Sequence, residues 1–267
     1  MANNHAGNHA AHDHDFHIPA PTIWPALSCL GIGVMFFGII ALLHVHPTAV
    51  GKMLMAGGLL TALFAATQWW RATIHEARAR GFADVPQVLE LGNRYGIIFF
   101  IVSEVMFFAA FFAAFFYLRS YNVEWPPANI TPIGLELPVI NTLLLLTSGV
   151  TITWAHHALL AGDKATTKLA TFLTWHLGIL FLACQMYEYS HAGFGLNAGV
   201  FATVFYMLTG FHGFHVLVGT IMLMVLSTRL HRGDFSDKHH FYFEAAAWYW
   251  HFVDVVWIGL FLTLYLL

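Results

Sequence analysis

The sequence predicts an all-α integral membrane protein with seven transmembrane helices, on three observations. Of its 267 residues, 58% are hydrophobic and only 9% are charged, whereas an ordinary soluble domain carries about 25% charged residues. The mean hydropathy is +0.67. Seven apolar stretches are each long enough to cross a bilayer core of about 30 Å, which takes about 20 helical residues. Too few charged residues are present to build a water-facing surface.

The seven predicted spans account for most of the chain. They cover residues 24–45, 50–70, 95–118, 138–160, 169–189, 200–226 and 241–267. Only a short turn at 46–48, which includes a proline, separates the first two spans, so residues 23–70 are predicted to form a two-helix transmembrane hairpin. Residues 71–94 are rich in charge and are predicted to form a cytoplasmic connection with a short helix. Residues 95–267 are predicted to form a five-helix bundle.

The basic residues predict which way the chain crosses the membrane. Of the 11 Lys and Arg residues, only Lys52 and Arg119 fall on the side opposite the N-terminus. The others are Arg71, Arg78, Arg80, Arg94, Lys164, Lys168, Arg229, Arg232 and Lys238. Because cytoplasmic loops are enriched in Lys and Arg, the N-terminus is predicted to be cytoplasmic and the C-terminus external. That topology needs an odd number of spans.

Composition also excludes several classes of function. A net charge of −3 and a pI near 6.6 supply no basic field for nucleic acid. Cys29 and Cys184 lie inside apolar runs, so neither a disulfide framework nor a cysteine metal cluster is expected. The tail at 1–22 is rich in histidine and is predicted to be a solvated cytoplasmic segment, with metal binding as the alternative. No phosphate loop, nucleophile elbow or haem-attachment motif occurs in the sequence.

Ionisable side chains within the spans are the candidate functional groups, because each of them is costly in lipid. Glu104 lies about ten residues into the third span, and a rise of 1.5 Å per residue puts it near the middle of the membrane. Such a carboxylate is protonated, hydrogen-bonded to a neighbouring helix, or part of a proton path.

The sixth span carries His212 and His215, three residues apart and therefore on roughly one helix face. The neighbouring Gly210 and Gly213 are expected to let another backbone approach closely. Two histidines at this spacing could bind a metal, but a bis-histidine haem needs ligands from opposing faces. A role in helix packing and hydrogen bonding is therefore predicted for these two histidines. No metal site and no catalytic residue are predicted in the chain.

The seventh span carries a polar stripe on an otherwise apolar helix. At 100° per residue, Glu244, Trp248, His251 and Asp254 fall within about 120° of one another. His251 and Asp254 are close enough along the helix to interact. A buried polar seam against other helices explains these residues without any chemistry. The predicted seam comprises His212, His215, Glu244, His251 and Asp254.

Several strings of residues occur together, in this order, in one known family. They are Gln68-Trp69-Trp70-Arg71, Arg94-Tyr95-Gly96, Ser103-Glu104-Val105, Trp125-Pro126-Pro127, Thr153-Trp154-Ala155-His156-His157, Gly210-Phe211-His212-Gly213, and the long string from Glu244 to Trp257. On these strings the chain closely resembles subunit III of the haem–copper cytochrome c oxidases. The resemblance spans nearly everything after the N-terminal tail.

The resemblance implies a seven-helix subunit in which the hairpin of spans 1 and 2 is separated by a lipid-filled cleft from the bundle of spans 3–7. It implies no redox centre in this chain, since the haems and copper of the family lie in subunits I and II. Those subunits oxidise cytochrome c and reduce dioxygen to water while pumping protons. Subunit III would pack directly on subunit I, sustain its proton uptake and protect it during turnover.

The resemblance also implies roles for particular residues. Glu104 matches the buried functional carboxylate of the family's third span. Structural phospholipids are implied as ligands, and the residues that match lipid-headgroup contacts are Trp69, Trp70, Arg71, Arg229, Lys238 and His239. Basic residues on the cytoplasmic side suit anionic phosphates. The histidine-rich tail and residues 81–91 depart from the family pattern, so no role is carried onto them.

Other interpretations remain open on the sequence. The electron donor is chosen in another subunit, so the equivalent subunit of a quinol oxidase or of a nitric-oxide-reducing complex is one alternative. A stand-alone transporter would use Glu104 and His251 as proton relays. A haem-binding bundle would use His176, His212, His215 or His251. A bacterial plasma membrane is predicted in preference to the mitochondrial inner membrane.

Overall fold

The computed structural model describes residues 21–44, 49–80, 87–127, 130, 134–235 and 240–267. This part of the chain is helical, without strands. Its elements are α1 (Trp24–His44), α2 (Ala49–Arg80), α3 (Gln87–Tyr121), α4 (Glu136–Leu160), α5 (Lys164–His191), α6 (Val200–Arg232), α7 (Phe241–Leu260) and a terminal π-helical turn (Phe261–Leu266). All seven α-helices are long and apolar enough to cross a membrane. The predicted fold class is therefore confirmed.

Several helices run further than the apolar stretches that predicted them. The segment 71–94, predicted to be a connection with a short helix, is mostly helical, because α2 continues to Arg80 and α3 begins at Gln87. Its Ala, Arg and Glu residues are good helix formers. A helix also bonds its own backbone, so it need not end where the lipid ends. Residues 81–86 of that segment, the turn predicted at 46–48 and most of the tail lie outside the described residues.

The chain divides into two compact units, and the first comprises Met1–Asp84. Within it, α1 and α2 pack through glycines with their backbones in direct contact. A Cβ on Gly31 would lie 2.6 Å from the Ala62 nitrogen, and one on Gly38 would lie 2.7 Å from the Met55 Cα. Later residues of α1 contact earlier residues of α2, so the two helices are antiparallel. The cleft predicted beside them stays a prediction.

The second unit comprises Val85–Leu267 and contains α3–α7. Helix α7 contacts α3, α4 and α6 and supplies the largest core side chains, Trp250 and Trp257, both almost fully buried. Buried indoles need an acceptor for their N–H group. The Trp250 Nε1 donates to the Ser148 hydroxyl at 2.8 Å, and the Trp257 Nε1 to the Thr142 hydroxyl at 3.0 Å. Both acceptors lie on α4, so these bonds fix α7 against it.

The glycines against which another helix packs closely in this unit are not those that the sequence suggested, and the approaching group is a side chain. A Cβ on Gly219 of α6 would lie 2.8 Å from the Trp250 ring, and one on Gly178 of α5 would lie 2.7 Å from it. The indole thus fills the space that these glycines leave. Apart from the neighbouring backbone of α6 itself, no described atom lies within 4 Å of a Cβ on Gly210 or Gly213, so the close approach predicted there is not found among the described residues.

The helix ends on the side predicted to be cytoplasmic are built by local hydrogen bonds. Asp163 caps α5 and accepts from the backbone of Ala165 at 3.1 Å and of Thr166 at 3.0 Å. The Thr166 hydroxyl and these backbone donors hold the pKa of the Asp163 carboxyl below its ordinary value. Gly233, at φ +76°, ends α6 in the left-handed conformation. These turns set where α5 begins and where α6 ends.

Candidate functional site

Glu104 of α3 is paired with His215 of α6 inside the second unit. The distance from Glu104 Oε2 to His215 Nε2 is 3.0 Å, and the other ring nitrogen, Nδ1, lies 2.7 Å from the Phe211 carbonyl. A carbonyl only accepts, so Nδ1 carries a hydrogen. The Glu104–His215 contact then holds one proton, which makes a neutral histidine with a carboxylic acid or an imidazolium with a carboxylate. Either form has no net charge.

Aromatic rings surround this pair. The His215 ring lies 5.0 Å from Phe108, 6.1 Å from Phe252 and 6.4 Å from Tyr249, centroid to centroid. The side chains of Glu104 and His215 are 23% and 9% exposed. In such apolar surroundings a hydrogen bond between the two groups is stronger than in water, and leaving either unpaired is costly.

Glu244, at the start of α7, is held by an arginine of α3. The Arg94 Nε donates to Glu244 Oε2 at 2.9 Å and its Nη2 to Oε1 at 3.1 Å, a two-pronged contact that fixes the plane of the carboxylate. His240 lies 3.3 Å from the same Oε1, nitrogen to oxygen. This contact links α3 to α7 at one end of the unit.

His251 and Asp254 face α4 instead. The distance from His251 Nδ1 to Asp254 Oδ2 is 3.5 Å, and His251 Nε2 lies 3.2 Å from the Thr153 hydroxyl. That hydroxyl gives its own hydrogen to the Gly149 carbonyl at 2.9 Å, so it accepts from His251. A side chain on Gly149 would collide with the Asp254 carboxylate. The pair borders an open groove of about 620 Å³ between α4 and α7.

His212 belongs to none of these contacts. It is almost fully buried, and neither ring nitrogen has a hydrogen-bond partner among the described residues. Its ring packs 5.2 Å from Trp257 and 5.7 Å from Phe181, centroid to centroid. The residues predicted to form one polar seam are thus divided among three separate contacts and one isolated imidazole. Helix periodicity places residues on a face but does not say which neighbour each one meets.

Comparison with known proteins identifies the family. A sequence model of the family described as cytochrome c oxidase subunit III matches residues 14–267. A protein named cytochrome c oxidase subunit 3 from Pylaiella littoralis is 46% identical over 258 residues, which covers 94% of this chain and 93% of that protein. The chain belongs to the cytochrome c oxidase subunit III family. Proteins of the same name from Marchantia polymorpha and Rattus norvegicus are 45% and 42% identical over 258 residues, covering 96% and 97% of their own lengths.

Membership in the subunit III family makes the chain a component of a haem–copper oxidase, an oxidoreductase complex of the respiratory chain. The seven apolar helices make this subunit III chain a multi-pass membrane protein. Such a complex contains other oxidase subunits, so faces of this chain that are exposed in isolation include the surfaces that meet them.

The residues that resemble lipid-headgroup contacts of subunit III lie in both units. In the first, Trp69 and Trp70 are 41% and 65% exposed, and Arg71 beside them is exposed. In the second, Arg229 at the end of α6 lies 3.3 Å from the Asp234 carboxylate. Its guanidinium carbon lies 4.6 Å from the centre of the Phe235 ring and 5.0 Å from that of Tyr242. Lys238 and His239 lie outside the described residues.

Other polar contacts of this subunit III chain were not predicted from the sequence. The Tyr265 hydroxyl donates to Glu188 at 2.7 Å, which joins the terminal π-helical turn to α5. Arg94 donates to Glu244. The sequence feature that could have indicated this contact is the position of Arg94, a lone basic residue just before an apolar span. A third unpredicted feature is a cluster of metal-ligating side chains, His156, His240 and Glu244. Its members are far apart in sequence, so only the fold brings them together.

Proposed function

We propose that this chain is the accessory subunit III of a proton-pumping respiratory cytochrome c oxidase. In this proposal it carries no redox centre. It packs directly on subunit I, in a complex that also contains subunit II. It sustains proton uptake by subunit I, binds phospholipid and protects the complex during turnover. The complex oxidises cytochrome c and reduces dioxygen to water, with haem and copper in the partner subunits.

The observation that carries the proposal is the match of the subunit III family over residues 14–267. The pairing of two of the four candidate haem-ligand histidines, His215 and His251, supports the absence of a redox centre. His215 has one ring nitrogen on a backbone carbonyl and the other on Glu104, and His251 has its two on Thr153 and Asp254. A haem iron needs a free imidazole nitrogen. Histidines already engaged on both sides are poor candidates for that role.

Retained phospholipid is the second part of the proposal. Arg229 presents five N–H donors in principle, and Asp234 accepts from one of them, the Nε. Its side chain is 28% exposed, so other donors can reach an anionic headgroup. The exposed indoles of Trp69 and Trp70, next to Arg71, suit the headgroup level of a bilayer, where Trp is enriched.

We predict that Arg229→Ala combined with Lys238→Ala lowers the phospholipid retained by the purified complex and shortens its working life. The reason is that two cations facing an anionic headgroup contribute about 1 kcal/mol each near a membrane surface. Lipid content is measured by mass spectrometry, and working life by the decay of dioxygen consumption during turnover. Arg232→Ala, at the exposed end of the same helix, is the matched control. Unchanged lipid in the double variant contradicts the prediction.

Location and orientation belong to the same proposal. The chain is placed in a bacterial plasma membrane, with a cytoplasmic N-terminus and a periplasmic C-terminus. The distribution of the 11 basic residues supports the orientation.

The test of the proposal is an absorption spectrum of the chain, tagged and purified in mild detergent, before and after reduction. The preparation is then stripped of its partners and scanned again. Haem bands that accompany the complex, respond to cytochrome c and disappear from the isolated chain are expected. Haem retained by the isolated chain contradicts the absence of a redox centre. A complex reduced by quinol but not by cytochrome c contradicts the assigned electron donor, and a colourless preparation without partners favours a transporter.

A further inference from the structure

Three metal-ligating side chains converge where α4 ends and α7 begins. They are His156 near the end of α4, His240 at the residue before α7, and Glu244 in the first turn of α7. One ligand atom from each lies within 4.8 Å of the others. All three belong to the second unit. His156 takes part in none of the three pairs described above, which are Glu104–His215, Arg94–Glu244 and His251–Asp254.

The local fold of α7 sets two of the ligands at the spacing that a metal needs. The His240 carbonyl accepts from the backbone N–H of Phe243 at 2.8 Å and of Glu244 at 3.2 Å, which closes the first turn. Residues four apart lie on the same helix face. The distance from His240 Nε2 to Glu244 Oε1 is 3.3 Å. Ligand atoms around a tetrahedral zinc with bonds of about 2.0–2.1 Å lie about 3.3 Å apart.

His156 brings the third nitrogen from another helix. Its Nε2 is shielded from solvent and has no hydrogen-bond partner among the described residues. The ring stacks on Phe243 at 5.2 Å and meets His240 edge-on at 5.4 Å, centroid to centroid. A buried nitrogen without a partner costs about 1–3 kcal/mol. A cation bound between these three side chains would supply the missing partner.

Arg94 completes the surroundings of the cluster. It holds both oxygens of Glu244 at 2.9 and 3.1 Å and so fixes the direction in which the carboxylate presents its remaining lone pairs. A carboxylate has about four acceptor positions, so Oε1 can serve Arg94 and a metal together. Partners of this kind orient metal ligands in known sites. The positive charge of Arg94 opposes a dication, which makes the site weaker than one without it.

We propose that His156, His240 and Glu244 form a binding site for a divalent transition metal, with Zn²⁺ as the ion that fits best. Two imidazole nitrogens and one carboxylate oxygen are a donor set of zinc sites that keep a fourth position for water. No sequence pattern predicts a metal here, because residues 156 and 240 are brought together only by the packing of α7 on α4. A bound ion would tie these two helices together at this end of the unit.

The test measures zinc bound to the purified tagged chain together with the subunits that accompany it. The sample is freed of loosely bound metal with a chelator and dialysed against buffered free Zn²⁺. Zinc per chain is then determined by elemental mass spectrometry. His156→Gln and His240→Gln are compared with His157→Gln, the neighbour on the same helix. Each of the first two variants is expected to bind one Zn²⁺ per chain fewer than the wild type, and His157→Gln the same number as the wild type.

The wild type also gives a result that does not depend on the variants. X-ray absorption at the zinc edge is expected to show two imidazole nitrogens with oxygen ligands on the zinc that the dialysis adds. Zinc without imidazole ligands, or a wild-type sample that retains no added zinc, overturns the proposal. Equal zinc in the wild type and both variants also overturns it. Haem content and subunit composition of each variant verify that it has assembled.

Discussion

Glu104 and His215 share one proton in aromatic surroundings, and Glu104 lies near the middle of α3. Their contact is 3.0 Å long, and the second nitrogen of His215 already donates to a carbonyl at 2.7 Å. Moving the shared proton from the carboxyl group to the imidazole charges both partners with opposite signs, so the pair keeps zero net charge. The pair is therefore a stable way to keep a carboxyl group in a membrane helix, because no net charge is exposed to lipid.

We predict that Glu104→Gln leaves the initial rate of dioxygen reduction within about twofold of the wild type, or about 0.4 kcal/mol of activation free energy. A glutamine amide can still donate to His215 Nε2, so the contact between α3 and α6 survives. No redox step is assigned to Glu104. Oxygen consumption by the assembled complex is the measurement. Glu188→Gln, at a buried carboxylate elsewhere in the bundle, is the control.

A collapse of initial turnover in Glu104→Gln, with Glu188→Gln active and both complexes assembled, would sink that prediction. It would place Glu104 on a required proton path, which is one of the roles that the sequence left open for it.

At the level of single residues, the sequence could name candidate side chains but not their partners. An acidic residue in the middle of an apolar span is conspicuous, so Glu104 could be chosen without a structure. Its partner lies 111 residues away on another helix. Glu244 was assigned to the same stripe as His251 and Asp254, yet its partner is Arg94 of α3, whereas theirs is on α4. Partner choice depends on how helices pack, which periodicity does not contain.

At the level of elements, the antiparallel contact of α1 and α2 depends on the absence of side chains at a few positions. A Cβ on Gly58 would lie 2.7 Å from the Gly31 carbonyl oxygen and 2.8 Å from the Met35 Cα, both of them backbone atoms. A Cβ on the adjacent Gly57 would have open space around it, with no described atom of a neighbouring helix within 4 Å. Small residues at such contacts let membrane helices approach closely enough for dispersion to hold them.

We predict that Gly58→Ala destabilises the packing of α1 on α2 by about 1–3 kcal/mol, the usual cost of inserting a methyl group into a filled contact. Backbone atoms cannot rotate away as a side-chain tip can, so the helices must separate. The measurement is the temperature at which the purified complex loses this subunit or aggregates in detergent. Gly57→Ala is the matched control and is expected to keep the wild-type value. Equal behaviour of the two variants contradicts the prediction.

Element number was predictable because bilayer thickness imposes it, whereas element ends were not. Each apolar run had to span about 30 Å, and that constraint alone yielded the seven helices. Lipid sets no such limit outside the bilayer, which is why α2 continues to Arg80 and α6 to Arg232. The sequence could not show which glycines of the second unit are closely packed, for a similar reason. Gly219 is needed because Trp250 of α7 arrives there, and nothing in α6 alone reveals that.

At the level of the whole molecule, the charge distribution predicts the orientation of the chain in the membrane, which the helices alone do not. Helix α4 crosses the membrane once, so the connections at its two ends lie on opposite sides. The connection before it follows Arg119, and the connection after it is close to Lys164 and Lys168. Because Lys and Arg are retained on the cytoplasmic side, the connection between α4 and α5 is expected inside and the connection between α3 and α4 outside.

We predict that a membrane-impermeant maleimide labels Val123→Cys in intact cells but labels Ala161→Cys only after the membrane is opened. Val123 is fully exposed in the connection between α3 and α4, and Ala161 is exposed just after α4. Both changes are made in a chain whose Cys29 and Cys184 are replaced by serine, and that chain without a new cysteine is the control. The reverse pattern would invert the topology. It would place the cluster of His156, His240 and Glu244, which lies at the Ala161 end of α4, on the outer face of the membrane.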